Sequence, residues 1–192
     1  MEVLWLCLAV DGIGYGRIGS TCSNIKITGG KVYIRCDGEG AGIGGRELLK
    51  NVEISGGTVE IYANRLASRK FAIGASNVEN VIIAGGNVYL HADNGKNIGT
   101  PEADIPPTDE NGTEVLETIL TIDGINKETP ISNIEFSDYS GSYGLKDMSI
   151  RNNGKVYIYL PTGSKVVSIT AEGKTYTAET PIEAGTSGTL SK

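Results

Sequence analysis

The chain has 192 residues with 27 Gly, 9 Tyr, 2 Phe and 2 Met, a composition poor in helix-forming runs and rich in turns, which points to an all-β protein of one or two domains. A net charge of −6, with the 17 Lys and Arg scattered, argues against a nucleic-acid surface, because phosphate binding needs clustered cations. No stretch approaches the ~20 apolar residues of a membrane span, and three Cys at positions 7, 22 and 36 form an odd count without metal-ligand spacing, so no disulfide framework is indicated.

At the start of the chain Leu4, Leu6 and Leu8 alternate with Val3, Trp5 and Cys7. A signal-peptide core is the rival reading, but Glu2 carries the wrong charge for it and the apolar run is only about eight residues without a small-residue cleavage site. The run reads better as the second strand of a repeat unit that lies further upstream, which places Trp5 above Tyr33 and makes the chain part of a larger protein. Gly12, Gly14, Gly16 and Gly19 superficially suggest a nucleotide loop, yet no helical pattern follows them.

A unit of about 27 residues then occurs three times. It reads Asn24-Ile25-Lys26-Ile27-Thr28-Gly29-Gly30-Lys31-Val32-Tyr33-Ile34, Asn51-Val52-Glu53-Ile54-Ser55-Gly56-Gly57-Thr58-Val59-Glu60-Ile61 and Asn80-Val81-Ile82-Ile83-Ala84-Gly85-Gly86-Asn87-Val88-Tyr89-Leu90. Periods of this size mark stacked architectures in which one unit cannot bury its own apolar face. Within each unit the apolar positions have period two and are mostly β-branched, which is strand chemistry. The Gly-Gly pair sits where the backbone must turn sharply. If each unit is one coil, equivalent residues lie about 4.8 Å apart in ladders. The inward ladders are Ile25/Val52/Val81, Ile27/Ile54/Ile83, Val32/Val59/Val88, Ile34/Ile61/Leu90 and Cys36/Ala63/Ala92, all apolar. The outward ladders are Lys26/Glu53/Ile82, Lys31/Thr58/Asn87, Tyr33/Glu60/Tyr89 and Arg35/Tyr62/His91, and the Asn24/Asn51/Asn80 ladder suits amide hydrogen bonds from coil to coil. A parallel β-helix of about three to four coils over residues 1–100 accounts for all of this.

Pro101, Pro106 and Pro107 break the pattern, since proline lacks the donor a ladder needs, and residues 101–107 read as a Pro-rich linker. Beyond it, alternating runs at 118–122, 155–160 and 166–170, with turn signals at Asn111-Gly112 and Glu172-Gly173, predict a small antiparallel β-sandwich over 108–182. Leu160-Pro161-Thr162-Gly163 lacks the intervening residue of a sortase signal and reads as a hairpin turn. Residues 183–192 read as a loose tail.

The string Gly40-Ala41-Gly42-Ile43-Gly44-Gly45, followed by Ile54-Ser55-Gly56-Gly57-Thr58-Val59, resembles the glycine-rich repeats of large cell-surface proteins of Gram-positive gut and environmental bacteria. These are similar to carbohydrate-binding proteins built on a pectate-lyase-like right-handed β-helix. The resemblance covers residues 12–100 and, more weakly, 140–178, where Gly154-Lys155-Val156-Tyr157-Ile158-Tyr159-Leu160-Pro161 resembles the small β domain that follows such repeats. Arg17 and Lys70-Phe71 depart from the small residues of the motif. The resemblance implies a right-handed coil, a secreted or surface-attached bacterial location, and polysaccharide or host glycan as the partner.

The outward strip supplies the candidate ligand-binding residues, Trp5, Tyr33, Arg35, Glu60, Tyr62, Tyr89 and His91. Its aromatic members suit a flat platform on which sugar rings stack, although tyrosines on half-exposed strands more often stack on one another only to stabilise the sheet. Arg35 and Lys31 beside Glu53 and Glu60 also suit binding of a uronic acid or the charged centre of a polysaccharide lyase, although opposite charges on neighbouring rungs are usually weak surface pairs. His91 is the single histidine, so no His-based triad or zinc cluster is assembled and no catalytic residue is assigned. Asp11, Asp37, Glu39, Asp93 and Asp104 offer oxygen ligands for calcium near turns, but no run matches an Asp-rich binding loop and no cofactor is assigned. Three functions follow in order: a non-catalytic surface module that binds glycan, as in an adhesin; a stalk or spacer whose second domain covers the open edge of the stack; and a β-helix enzyme acting on polysaccharide.

Overall fold

The computed structural model describes residues 2–7 and 13–15 as backbone, and residues 21–36, 40–63, 71–93 and 96–192 in full. The first half alternates between two parallel sheets. Long strands β1 (Glu2–Cys7), β3 (Thr21–Cys36), β5 (Leu48–Ala63) and β7 (Asn77–Ala92) pair in that order, and short strands β2 (Ile13–Tyr15), β4 (Ile43–Gly45), β6 (Ile73–Gly74) and β8 (Ile98–Gly99) form the second sheet in the same sequential order. The inward ladders hold: Ile25, Val52 and Val81 lie side by side, as do Ile34, Ile61 and Leu90, and Cys36, Ala63 and Ala92. Nearly all of these side chains are buried, so the period-two pattern of the sequence becomes one continuous apolar column.

The asparagines mark a backbone turn in each unit. Asn24, Asn51 and Asn80 have φ of 59°, 54° and 61°, a left-handed conformation that asparagine tolerates better than other side chains. Their amides form the expected ladder, Asn51 Nδ2 donating to Asn24 Oδ1 at 3.1 Å and Asn80 Nδ2 to Asn51 Oδ1 at 3.2 Å. Lys26 and Glu53 meet as an exposed pair at 2.8 Å. One register differs from expectation. β1 sets Leu4 opposite Tyr33 and Trp5 opposite Ile34, so Trp5 is one residue out of line with the tyrosine row, and its side chain lies outside the described residues.

The second half is one sheet of seven strands: β9 (Val115–Ile122), β10 (Thr129–Ser137), β11 (Ser149–Ile150), β12 (Lys155–Pro161), β13 (Lys165–Ala171), β14 (Lys174–Glu183) and β15 (Ser187–Ser191). Its order is β11-β10-β13-β14-β15-β9-β12, and because the end strands β11 and β12 are joined by a short turn, the sheet curls into a nearly closed barrel. The expected antiparallel sandwich is therefore corrected. The physical reason is β15, which runs parallel to β9 from Ser187 opposite Ile119 to Leu190 opposite Ile122 and also pairs with β14, joining what a sandwich keeps as two separate layers. The same strand corrects the expected loose tail, since Leu190 is fully buried in the barrel core. Residues 161–164 form the expected turn, with Ser164 N donating to Pro161 O at 3.1 Å.

The two halves are tightly joined. Residues 101–107, expected as a linker, are tied down by Ile105 N donating to Ile98 O at 2.9 Å and, just beyond them, by Thr108 N donating to Val81 O and Ile83 N to Thr108 O, both at 2.9 Å. Asn87, on the outer row of β7, reaches across to β11 and β12: its Nδ2 donates to Ser149 O at 2.8 Å and its Oδ1 accepts from Tyr157 N at 2.8 Å. Val115 and Tyr159 of the barrel belong to the core of the stack.

A strap, residues 143–149, crosses the Gly-Gly corners of successive units. Gly30 N donates to Asp147 Oδ2 at 2.9 Å, Gly57 N to Lys146 O at 2.7 Å, and Gly86 N to Gly144 O at 2.8 Å. The two glycines of each corner thus answer different demands. The second has φ of 81°, 93° and 86° in the three units, where a side chain is strained. The first faces the strap: a Cβ on Gly85 would lie 2.6 Å from Gly144 Cα, while one on Gly56 would lie 2.8 Å from Thr28 O of the neighbouring unit and 3.1 Å from Lys146 O.

Candidate functional site

Parallel register places Tyr33, Glu60 and Tyr89 on one outward row and Arg35, Tyr62 and His91 two residues further along. Alternation points all six away from the apolar column. Adjacent rows bring the rings together, with Tyr33 and Tyr62 centroids 5.5 Å apart, Tyr62 and Tyr89 5.4 Å apart, and His91 stacked on Tyr89 at 6.3 Å with an interplanar angle of 3°. Tyr62 is inclined to its tyrosine neighbours by 47° and 60°, so the expected flat platform is instead a staggered, tilted surface.

The residue that organises this surface is Arg151. It sits in the turn between β11 and β12, fixed by Arg151 N donating to Lys155 O at 3.0 Å and Gly154 N to Arg151 O at 2.9 Å. Its guanidinium grips Glu60 with two bonds, Nε to Oε1 at 2.8 Å and Nη2 to Oε2 at 2.7 Å, and Nη2 also donates to Tyr62 Oη at 2.9 Å. The carbon of the guanidinium lies 4.5 Å from the Tyr89 ring centroid and 5.5 Å from that of Tyr157. Planarity and fork geometry make arginine suited to both contacts at once. Burial works against the charge of Arg151, but the hydrogen bonds and charge of Glu60, aided by Tyr62, outweigh it and raise its pKa. Burial, reinforced by the Glu60 charge, raises the Tyr62 pKa in spite of Arg151, so the phenol stays protonated at neutral pH.

Beside this cluster lies an open groove of about 490 Å³, lined on one side by Lys31, Tyr33, Thr58, Glu60 and Tyr62 of the stack and on the other by Glu128, Arg151 and Asn152 of the barrel. Lys31 Nζ and Glu128 Oε1 meet at 2.8 Å, with about half of each side chain exposed. The groove is thus built by both halves of the chain. Of the candidate residues it gathers Tyr33, Glu60 and Tyr62; Tyr89 and His91 flank Arg151, Arg35 is exposed opposite Tyr62 and outside the groove lining, and Trp5 is outside the described side chains. His91 Nε2 lies 3.2 Å from Asp93 Oδ1. Of the residues considered for calcium, Asp11, Asp37 and Glu39 fall outside the described residues, and among the described residues no three His, Cys, Asp or Glu converge on a point.

Arg151 had no periodic signal in the sequence. It is separated from Glu60 by 91 residues and comes to it only through the seating of the barrel. Because the two side chains are only 11% and 22% exposed, Arg151→Ala is expected to lower stability by about 2–3 kcal/mol, the cost of a half-buried carboxylate left without its partner. In urea unfolding, Arg151→Met combined with Glu60→Gln is expected to cost clearly less than the sum of the two single substitutions, and strictly additive losses would show that the pair does not interact.

No protein-family model, curated protein or solved structure matches the chain.

Proposed function

We propose that the chain is a non-catalytic module of an extracellular bacterial surface protein that binds polysaccharide or host glycan in the groove between stack and barrel. The observation that carries this reading is the juxtaposition, in one ligand-sized groove, of two tyrosine rings with a fixed carboxylate–guanidinium pair. A pyranose has an apolar C–H face and a rim of hydroxyls. Tilted tyrosines suit the face, and Glu60 with Arg151 suits the rim. The same contacts argue against Glu60 or Tyr62 as a general base, because Glu60 is held by two bonds from Arg151 and Tyr62 is protonated at neutral pH. The alternation of parallel strands further supports a short right-handed parallel β-helix, since parallel crossovers overwhelmingly take that hand.

A spacer reading is favoured by a different observation: Thr108, Gly144 and β12 cover the outer edge of β7, which ends the stack and removes an edge open to aggregation. Affinity electrophoresis in gels containing individual polysaccharides, with a glycan array alongside, separates the two. Wild type is expected to be retarded by at least one polysaccharide, and Tyr33→Ala, which removes a partly exposed ring and no hydrogen bond to Arg151, to weaken that binding roughly tenfold while the loss of its Tyr62 contact lowers the melting temperature by only a few degrees. Absence of binding by wild type across the panel would leave the spacer.

A further inference from the structure

The charges of the groove point to the chemical class of what it takes, an inference that rests on the glycan reading above. Among the described residues two cations and two carboxylates line it, and each cation meets a carboxylate: Arg151 and Glu60 at 2.7 Å, and Lys31 and Glu128 at 2.8 Å. We propose that the groove selects a neutral hexose polymer and rejects uronic-acid and sialylated glycans.

The argument is one of satisfied charge. An anionic sugar must draw Arg151 or Lys31 towards its own carboxylate. At Arg151 that would strip Glu60, a half-buried acid, of both its bonds from the guanidinium and leave it only the Tyr62 hydroxyl at 3.2 Å, so the gain at the ligand is offset by a poorly compensated charge in the wall. At Lys31 it would bring the ligand carboxylate against Glu128. A hydroxyl has no such conflict. It donates to a carboxylate oxygen and accepts from the neighbouring ammonium or amide together, so each salt bridge with its spare lone pairs and protons reads one ring hydroxyl without being broken. Asn152 adds a neutral amide to the same lining.

The two pairs also differ in stiffness, which assigns them different parts. Arg151 and Glu60 are held by four contacts among themselves, Tyr62 and Tyr89, and form a preorganised end beside the Tyr62 ring. Lys31 and Glu128 are about half exposed, and such pairs are weak, so this end of the groove adjusts to the ligand at little cost. One sits on β3 and the other just before β10, so the adjustable pair spans the junction of the two halves.

Affinity electrophoresis with neutral polymers (galactomannan, xyloglucan, a β-glucan) and acidic ones (polygalacturonate, alginate, a sialylated mucin) tests the assignment on the full chain, with melting temperatures measured on the same samples. Wild type is expected to be retarded by at least one neutral polymer and by none of the acidic ones, with little change between 50 and 300 mM salt. Glu128→Lys, an exposed substitution that makes the groove net cationic without touching Arg151 or Glu60, is expected to gain acidic-polymer binding about tenfold, in a salt-sensitive manner. Wild-type binding to acidic and not to neutral polymers would overturn the neutral-sugar assignment while leaving a glycan-binding module in place. Binding to neither class overturns both, and a Glu128→Lys variant that folds yet gains nothing for acidic polymers would show that charge matching does not set the selectivity.

Discussion

Asn87→Ala is expected to lower the stability of the whole chain by about 3 kcal/mol, a shift of roughly 6–12 °C in melting temperature for a protein of this size. Asn87 is fully buried, yet by its place in the repeat it belongs to an outward row with Lys31 and Thr58. The barrel covers that row from one end. Lys31 is exposed, Thr58 is buried and accepts a bond from Ser149 N at 3.0 Å, and Asn87 is bonded on both sides of its amide. Alanine would strand the Tyr157 N–H and the Ser149 carbonyl in a buried interface, and each unsatisfied group costs about 1–3 kcal/mol. Asn87→Asp separates hydrogen bonding from packing. A carboxylate can still accept from Tyr157 N but cannot donate to Ser149 O, so this variant is expected to be less stable at pH 7 than at pH 4, where the protonated acid regains a donor. A loss below about 1 kcal/mol for alanine, with no pH dependence for aspartate, would mean that the barrel does not sit on β7 in solution.

Much of the stack is legible in the repeat itself. Spacing and alternation alone gave the inward ladders and the asparagine ladder, because both depend on neighbours one period away and a coil puts neighbours of the same kind in register. The irregular parts were less legible. Trp5 slipped by one residue because no corner motif pins the register of the opening run, and a shift of one exchanges the two faces of a strand. The sandwich was misread because alternation reports which residues face a core but not whether the sheet closes on itself; the parallel partnership of β15 with β9 settles that and leaves no local mark. Within the site, the tyrosine row and Glu60 were visible as an outward strip. Arg151 and Glu128 were not, since each reaches its partner across some 90 residues or more and neither belongs to the period. The groove is a product of docking, and a repeat cannot encode what docks on it except through the residues it leaves small.

Those small residues carry the second large effect. Gly144→Ala is expected to cost about 3 kcal/mol or more and to release the strap, even though Gly144 is not among the glycines with positive φ and alanine suits its backbone. The cost is steric. A Cβ there would be driven into the carbonyl of Ser55, and Gly85→Ala would meet the same obstacle from the other side, at 2.6 Å from Gly144 Cα and 2.7 Å from Gly144 N. Backbone cannot swing away as a side chain can, so either substitution must push the strap off the corners it satisfies. Gly57 N and Gly86 N would then lose their acceptors Lys146 O and Gly144 O, and Tyr143, whose buried hydroxyl donates to Gly86 O at 2.8 Å, would be drawn out with them. Gly173→Ala provides the contrast. Its φ is +70° and nothing lies within 4 Å of its Cβ direction, so it carries only the torsional penalty of about 1 kcal/mol and leaves the strap seated. Amide exchange distinguishes the two mechanisms. In Gly144→Ala the protons of Gly57 and Gly86 are expected to lose protection well before the barrel core does, whereas in Gly173→Ala all protected amides are expected to shift together with global stability. Protected corner amides in Gly144→Ala would show that the paired glycines serve the turn alone. Early exchange would show that Gly85, the first glycine of the third unit, is kept small for a segment more than 50 residues further along the chain.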